Sequence, residues 1–334
     1  MTEVHVIVPE GIDDPARPSG GNVYDRHVCD GLAGLGWTVH EHPVPGAWPA
    51  PGAAGHAALA RAVGEIPDGA GVLLDGLIAS AAPAALVPQA QRLRQVVLVH
   101  MPLGERPEGE VLSAATAVVT TSAWSRRRLL ELYPLAPSRV RVAEPGVDAA
   151  GLARGTAAGS ALLCVAAVTP HKGHDVLLDG LATVRDLSWR CVCAGSLERD
   201  PAWAAGVRDR AQELGRVHFA GPLAGAALDH AYATADVLVL PSRAETYGMV
   251  VTEALARGVP VIAADVGGVA EALGGEEGGL LVAPGDAAAL GVALHSWLSD
   301  AGLRRRLRRG ARHRRASLRG WAATTSVVAE VLTG

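Results

Sequence analysis

Short apolar runs alternate with longer segments rich in alanine and leucine along the whole chain. Each run is four to eight residues long and rich in Val, Leu or Ile, as expected of buried strands. Strands that alternate with helices predict an α/β fold in which helices cover both faces of parallel sheets. The predicted strands are Val4–Val8, Thr38–His42, Gly71–Leu74, Val96–His100, Ala117–Thr121, Arg139–Val142, Ala161–Val168, Arg190–Ala194, Val217–Ala220, Val237–Leu240, Pro260–Ala264 and Gly279–Val282.

A stretch of small and polar residues, Pro145–Ser160, interrupts this alternation and predicts a domain boundary. We expect an N-terminal, doubly wound domain in residues 1–150 and a second one in residues 151–317. The last segment, 318–334, is predicted to form a helix that could pack back on the first domain. Ligands of such folds bind at the carboxyl ends of the strands, so we expect a central cleft between two facing domains.

Composition excludes several classes of protein. The 334 residues are 49% hydrophobic and 19% charged, and 30 basic side chains face 34 acidic ones. An intrinsically disordered chain and a strongly basic nucleic-acid binder are therefore excluded. No apolar run is long enough to span a membrane, the N-terminus lacks a signal-peptide pattern, and four cysteines make no disulfide framework. We expect a cytoplasmic protein.

The single lysine and the single asparagine of the chain stand out, because 29 of the 30 basic residues are arginine. Lys172 lies with Gly173 in a turn between a predicted strand and a helix, where a compact cation suits a diphosphate. His171 and His174 flank it, but no cysteine or carboxylate pattern completes a metal site, so they are interpreted as loop histidines. Cys191 and Cys193, on one face of a predicted strand, are interpreted as core residues.

The first domain offers candidates near its predicted strand ends. The segment Pro18–Val23 places Gly20, Gly21 and Asn22 just before a helix, where backbone can approach an anion closely. His100 and Asp75 follow apolar strands, at the edge where sites of this architecture open.

The segment Ala235–Leu255 is the most informative one. It reads as a buried strand, a loop with Glu245, and a helix that opens near Gly248 and carries Glu253 in its second turn. Free N–H groups at that helix start suit a phosphate, and the two carboxylates can accept hydrogen bonds from sugar hydroxyls.

This segment resembles family 4 glycosyltransferases, which have the GT-B fold. The resemblance rests on the Glu-x7-Glu spacing and extends over nearly the whole chain, through Pro145–Asp148, Lys172-Gly173, Phe219-x-Gly221, Gly258–Ala263, Gly267-Gly268, Gly279–Val282 and Pro284–Asp286. No Asp-x-Asp is present, which disfavours the metal-dependent alternative fold.

The resemblance implies a retaining transfer of a hexose-type sugar from a UDP- or GDP-sugar to a hydroxyl, with no cofactor and no essential metal. Small soluble acceptors are slightly favoured over glycolipids. His100 and Glu245 would contact the donor sugar as catalytic residues. The first domain would bind the acceptor and the second the nucleotide sugar. The donor would be held by Gly20, Gly21, Lys172, Gly248, Met249, Val250 and Glu253, and its base by backbone near Gly195 and Leu223. The candidates for contacting the acceptor or supporting the site are Asn22, Asp75, Arg126 and Arg243.

One departure is that many relatives carry an arginine where this chain has Ala167, so Arg243 or Arg126 is the expected substitute. Nine arginines in Arg304–Arg319 are interpreted as a solvated helix face, with peripheral membrane contact as the less favoured reading. Two other functions stay open: a nucleotide-sugar 2-epimerase on the same fold, and a non-catalytic nucleotide-sugar-binding protein.

Overall fold

The computed structural model describes residues 2–14 and 19–334, so Pro18 of the glycine motif lies outside the described residues. The chain divides into two compact units. Residues 2–14, 19–146 and 319–334 form the first unit, and residues 147–318 form the second. The expected division after residue 150 thus falls four residues beyond the observed one.

The first unit is built on a six-stranded parallel sheet with the strand order β2-β1-β3-β4-β5-β6. The strands are β1 Glu3–Pro9, β2 Thr38–Val44, β3 Gly71–Asp75, β4 Arg94–Val99, β5 Ala117–Thr120 and β6 Val140–Val142. The helices are α1 Gly20–Gly34, α2 Gly52–Gly64, α3 Gly76–Ala81, α4 Pro83–Leu86, α5 Arg106–Ala114 and α6 Ala123–Leu132. The order reverses between β1 and β3, which makes that edge the topological switch point.

The second unit repeats this architecture with the order β12-β11-β10-β7-β8-β9. Its strands are β7 Ala161–Val165, β8 Arg190–Ala194, β9 Val217–Gly221, β10 Val237–Leu240, β11 Val261–Ala264 and β12 Gly279–Val282. Its helices are α7 His174–Ala182, α8 Pro201–Gln212, α9 Gly225–Ala233, α10 Met249–Ala256, α11 Val269–Leu273, α12 Ala287–Ser299 and α13 Ala301–Arg315. Its switch point lies between β7 and β10.

Side chains on both faces of each sheet are buried, which explains why the strands are apolar runs rather than alternating ones. In the first unit, Leu73 packs into one core and Leu74 into the core on the opposite face. In the second unit, Leu162 and Leu163 are divided in the same way. All twelve predicted strands overlap observed ones, and the predicted α/β class is confirmed.

The C-terminal helix, α14 Trp321–Thr333, belongs to the first unit. Its Val328 and Leu332 pack with Val28 and Leu32 of α1. The two helices approach closely because Gly31 leaves room for a partner: a Cβ on Gly31 would lie 2.2 Å from the Thr325 hydroxyl.

The arginine-rich helix α13 exposes some of its basic side chains and uses others inside the second unit. Arg308 donates to the buried Asp236 carboxylate at 2.7 Å, and Arg304 donates to two carbonyls at the end of α12 at 2.8 Å. Arg305 and Arg309 are exposed. Within the described residues, no helix is both long and apolar enough to cross a bilayer.

Candidate functional site

The second unit brings Lys172 and Glu245 together at its switch point. Lys172 follows β7 and Glu245 follows β10, and these two strands are neighbours in the sheet. The Lys172 ammonium donates to Glu245 Oε1 at 2.6 Å, and the Ser242 hydroxyl donates to the same oxygen at 2.9 Å. Both hydrogen bonds use Oε1, so Oε2 can accept a hydrogen bond from a ligand.

Two glycines let the loops around this pair approach each other. A Cβ on Gly267 would lie 1.5 Å from the Glu245 carbonyl oxygen, and one on Gly173 would lie 2.1 Å from the Pro241 carbonyl oxygen. Both glycines also adopt a positive φ, 62° and 69°, which other residues rarely tolerate. The positions of Lys172 and Glu245 therefore depend on these glycines.

Helix α10 begins beside this pair. Gly248 precedes it with φ 88°, and Met249 and Val250 form its first turn, where backbone N–H groups have no carbonyl partner within the helix. Glu253 lies in the second turn, and its Oε2 accepts a hydrogen bond from the Tyr232 hydroxyl at 2.7 Å. Burial raises the pKa of Glu253, although the Tyr232 hydrogen bond partly opposes this.

The two arginines expected to substitute at Ala167 have other partners. Arg243 forms a two-pronged pair with the Asp175 carboxylate at 2.8 and 2.6 Å and lowers the pKa of that group. Its contact with the Pro170 carbonyl, at 2.8 Å, keeps it beside the Lys172 turn. Arg126 lies in the first unit and donates to two carbonyls at the β6 end. Within the second unit, Arg243 is therefore a cation beside Lys172.

The two residues expected near a nucleotide base lie on separate loops. The Gly195 N–H donates to the Gly221 carbonyl at 2.8 Å, so a base contact there would use the Gly195 carbonyl. Leu223 is half-buried between β9 and α9.

The first unit contains a second group of polar residues, the acid–histidine cluster of Asp25, Asp75 and His100. His100 follows β4, Asp75 ends β3, and Asp25 comes from α1. His100 Nε2 lies 2.8 Å from Asp25 Oδ1 and 3.8 Å from Asp75 Oδ2. Asp75 also caps α3 by accepting from the N–H groups of Leu77 and Ile78. Sequence reasoning found His100 and Asp75 but missed Asp25.

Charges within the cluster shift its pKa values. Burial acts to lower the pKa of His100, but the negative charge and hydrogen bond of Asp25 outweigh it, so the pKa is raised. Burial and the neighbouring Asp25 charge raise the pKa of Asp75 to about 7. Asp25 Oδ2 is buried and has no hydrogen-bond partner among the described residues.

The glycine motif differs from its prediction. Gly20 and Gly21 do not precede the helix; they are its first two residues, because Ser19 is the N-cap of α1. Gly21 lies against the histidine, and a Cβ there would be 3.2 Å from His100 Cδ2. Asn22 is half-buried in the same first turn.

The two histidines that flank Lys172 differ in burial. His171 is exposed, as expected, but His174 is buried, because it is the first residue of α7 and points into the core toward Cys164. Cys191 and Cys193 are buried in one core cluster, as predicted.

Comparison with known proteins identifies the second unit. Residues 159–314 match the family model described as glycosyl transferases group 1. The second unit belongs to the glycosyl transferases group 1 family. Its match covers every residue placed above at the switch point of this glycosyltransferase unit.

Curated relatives of the chain carry the name D-inositol 3-phosphate glycosyltransferase. The protein from Thermomonospora curvata is 35% identical over 255 residues, covering 68% of this chain and 59% of the relative. The one from Salinispora arenicola is 34% identical over 290 residues, covering 74% and 62%. The chain spans about three fifths of the length of these relatives.

Solved structures show the fold. Sucrose-phosphate synthase from Thermosynechococcus elongatus superposes with a TM-score of 0.82 and 22% identity, over 99% of this chain and 98% of that one. HepE from Anabaena, solved with UDP-glucose, has a TM-score of 0.78 and 17% identity, over all of both chains. The predicted GT-B fold and the resemblance to glycosyltransferases are confirmed.

Proposed function

We propose that this protein is a retaining glycosyltransferase that moves a hexose-type sugar from a UDP-sugar to a hydroxyl of a small soluble acceptor, with no metal ion in the reaction. The observation that carries the proposal is the Lys172–Glu245 pair at the switch point of the second unit, next to the start of α10. A cation, free N–H groups and carboxylates at one strand edge match the needs of a nucleotide diphosphate attached to a sugar.

Lys172 supplies the positive charge for the diphosphate. It holds its Glu245 contact with one proton and has two more to donate, since an ammonium carries three. The N–H groups of Gly248, Met249 and Val250 add donors at the positive end of α10. Glu253 accepts from the ribose hydroxyls, and its buried Tyr232 partner fixes its orientation.

Transfer needs stabilisation of the charge that grows on the departing phosphate as the sugar becomes cationic. The Lys172 ammonium and the α10 amides provide it without a metal. Glu245 Oε2 accepts from a sugar hydroxyl. In the first unit, Asp25 favours the protonated form of His100, whose ring can donate to a hydroxyl.

Named relatives support the choice of substrates. HepE is described in complex with UDP-glucose, which favours UDP over GDP as the nucleotide. Relatives named D-inositol 3-phosphate glycosyltransferase, at 34–35% identity, favour a phosphorylated cyclic polyol as the acceptor. We therefore propose an inositol phosphate or a close analogue rather than a glycolipid.

Calorimetric titration with UDP and with GDP, in the presence of a chelator, tests the donor site. We expect micromolar binding of UDP, at least about tenfold weaker binding to Lys172→Ala and Glu253→Gln, and no change in Arg210→Ala, a control on the surface of α8. Absence of binding by either nucleotide would overturn the proposal.

A transfer assay with UDP-glucose and an inositol phosphate tests the reaction itself. NMR of the product should show an α-linkage, because a retaining enzyme keeps the configuration of its α-linked donor. A β-linked product would contradict retention. UDP-sugar conversion without any acceptor would instead favour the epimerase alternative.

A further inference from the structure

Three metal-ligating side chains meet in the core of the second unit. They are Cys164 of β7, Cys193 of β8 and His174, the first residue of α7. Cys164 and Cys193 lie directly opposite each other on adjacent parallel strands. The ligating atoms of the three residues all lie within 4.8 Å of one another. We call them the Cys–His–Cys cluster.

The spacing of the cluster suits a metal ion. His174 Nε2 lies 3.8 Å from Cys164 Sγ. A zinc ion bonded to sulfur at about 2.3 Å and to nitrogen at about 2.0 Å holds these atoms about 3.5 Å apart at a tetrahedral angle and about 3.7 Å apart at a trigonal one. An ion therefore fits between the side chains with only small adjustments.

The surroundings also favour a soft ion. All three side chains are buried, with exposed fractions of 0%, 2% and 1% for Cys164, Cys193 and His174. Two thiols and an imidazole are the ligands that zinc prefers, whereas magnesium and calcium prefer oxygen.

The cysteine of the first unit, Cys29, is buried like those of the cluster, but among the described residues it belongs to no group of metal-ligating side chains. Burial raises the pKa of Cys29 to about 12. Thiolate is the form of cysteine that binds metals. Cys29 is therefore a buried cysteine suited to serve as a control.

We propose that Cys164, His174 and Cys193 bind one zinc ion, with Cys191, two residues before Cys193 on β8 and in the same core cluster, as a further sulfur donor. The ion joins β7, β8 and the start of α7. Because His174 directly follows Lys172-Gly173, the ion anchors the turn that carries the lysine. It is a structural ion and takes no part in the sugar transfer.

The metal content of the intact protein tests this site. The protein is produced in zinc-supplemented medium, desalted, and analysed by atomic emission, with thiols counted after denaturation. We expect about one zinc per chain in the wild type and in Cys29→Ala, and at most about one fifth of that in Cys193→Ala and His174→Gln. Two different ligand variants guard against a single substitution that fails to fold.

Cobalt provides an independent readout. Protein produced with cobalt in place of zinc should show a thiolate-to-cobalt charge-transfer band that Cys193→Ala and His174→Gln lose and Cys29→Ala keeps. A folded, fully reduced wild type without zinc and without this band would overturn the proposal and leave a thiol–imidazole hydrogen bond in the core. Equal metal in the wild type and both ligand variants would overturn it as well.

Discussion

Replacing Asp25 by Asn should lower the pKa of His100. The variant removes one negative charge but keeps an oxygen that can accept from the His100 ring, so the ring is expected to stay in place. In the wild type the contact is 2.8 Å, and both side chains are mostly buried. Without the Asp25 charge, burial becomes the dominant effect, and burial lowers the pKa of a histidine.

Coulomb's law gives the size of the effect. Two unit charges with centres about 4 Å apart, at an effective dielectric constant of about 20, interact by about 4 kcal/mol, which corresponds to about 3 pH units. Asp75 remains 3.8 Å from the ring and retains part of the stabilisation. We therefore expect the pKa of His100 to fall by at least about one unit and to end below the ordinary value of about 6.5.

The assay is an NMR titration of the imidazole Cε1–H signals between acidic and alkaline pH. The chain has 12 histidines, so the His100 signal is assigned by its loss in His100→Gln. Asp30→Asn, an exposed position on the same helix, serves as the control and should leave the titration unchanged. An unaltered His100 pKa in Asp25→Asn would refute the electrostatic reasoning.

Three further outcomes are expected. Gly267→Ala should weaken UDP binding and destabilise the second unit by more than about 3 kcal/mol, because the new Cβ would overlap the Glu245 carbonyl oxygen. Gly285 is the control: its φ of 76° is similar, but a Cβ there would meet no atom within 4 Å, so Gly285→Ala should cost only about 1 kcal/mol of backbone strain. Calorimetry measures the UDP binding and urea unfolding the stability. The pKa of Asp75 is about 7 in the folded state, against an ordinary value of 3.8 in the unfolded chain, so the folded state binds more protons between those two values. The unfolding free energy of the first unit should therefore fall as pH rises from about 4 to about 7, and unfolding curves independent of pH in that range would contradict this. Trp321→Ala should destabilise the first unit by about 2–3 kcal/mol, measured by thermal unfolding against Val292→Ala, an exposed control in the second unit.

The strands and the switch-point residues of the second unit could be predicted because they depend on local sequence. Apolar runs of strand length mark both sheets, and Glu245, Gly248 and Glu253 lie within nine residues of one another. Asp25 was missed because it lies on the buried face of a helix next to Tyr24, where an acidic residue gives no periodic signal. Asp25 could have been found from its position in the topology, because α1 directly follows β1, one of the two strands at the switch point.

The burial of His174 and the pairing of Arg243 were missed for a related reason. Sequence proximity to Lys172 suggested a loop histidine, but the Gly173 turn starts α7 one residue later and directs His174 into the core. Arg243 was expected near the diphosphate, and its pairing with Asp175 depends on two loops meeting. Such contacts between distant segments depend on tertiary packing, which local patterns do not contain.

The close approach of Gly146 to the start of α14 bears on whether the first unit can fold by itself. A Cβ on Gly146 would lie 2.3 Å from the Trp321 amide nitrogen, so the chain leaves the first unit and re-enters it at adjacent points. The second unit is therefore an insertion between two neighbouring points of the first unit. Joining Gly146 to Arg319 directly should therefore yield the first unit as an independent domain.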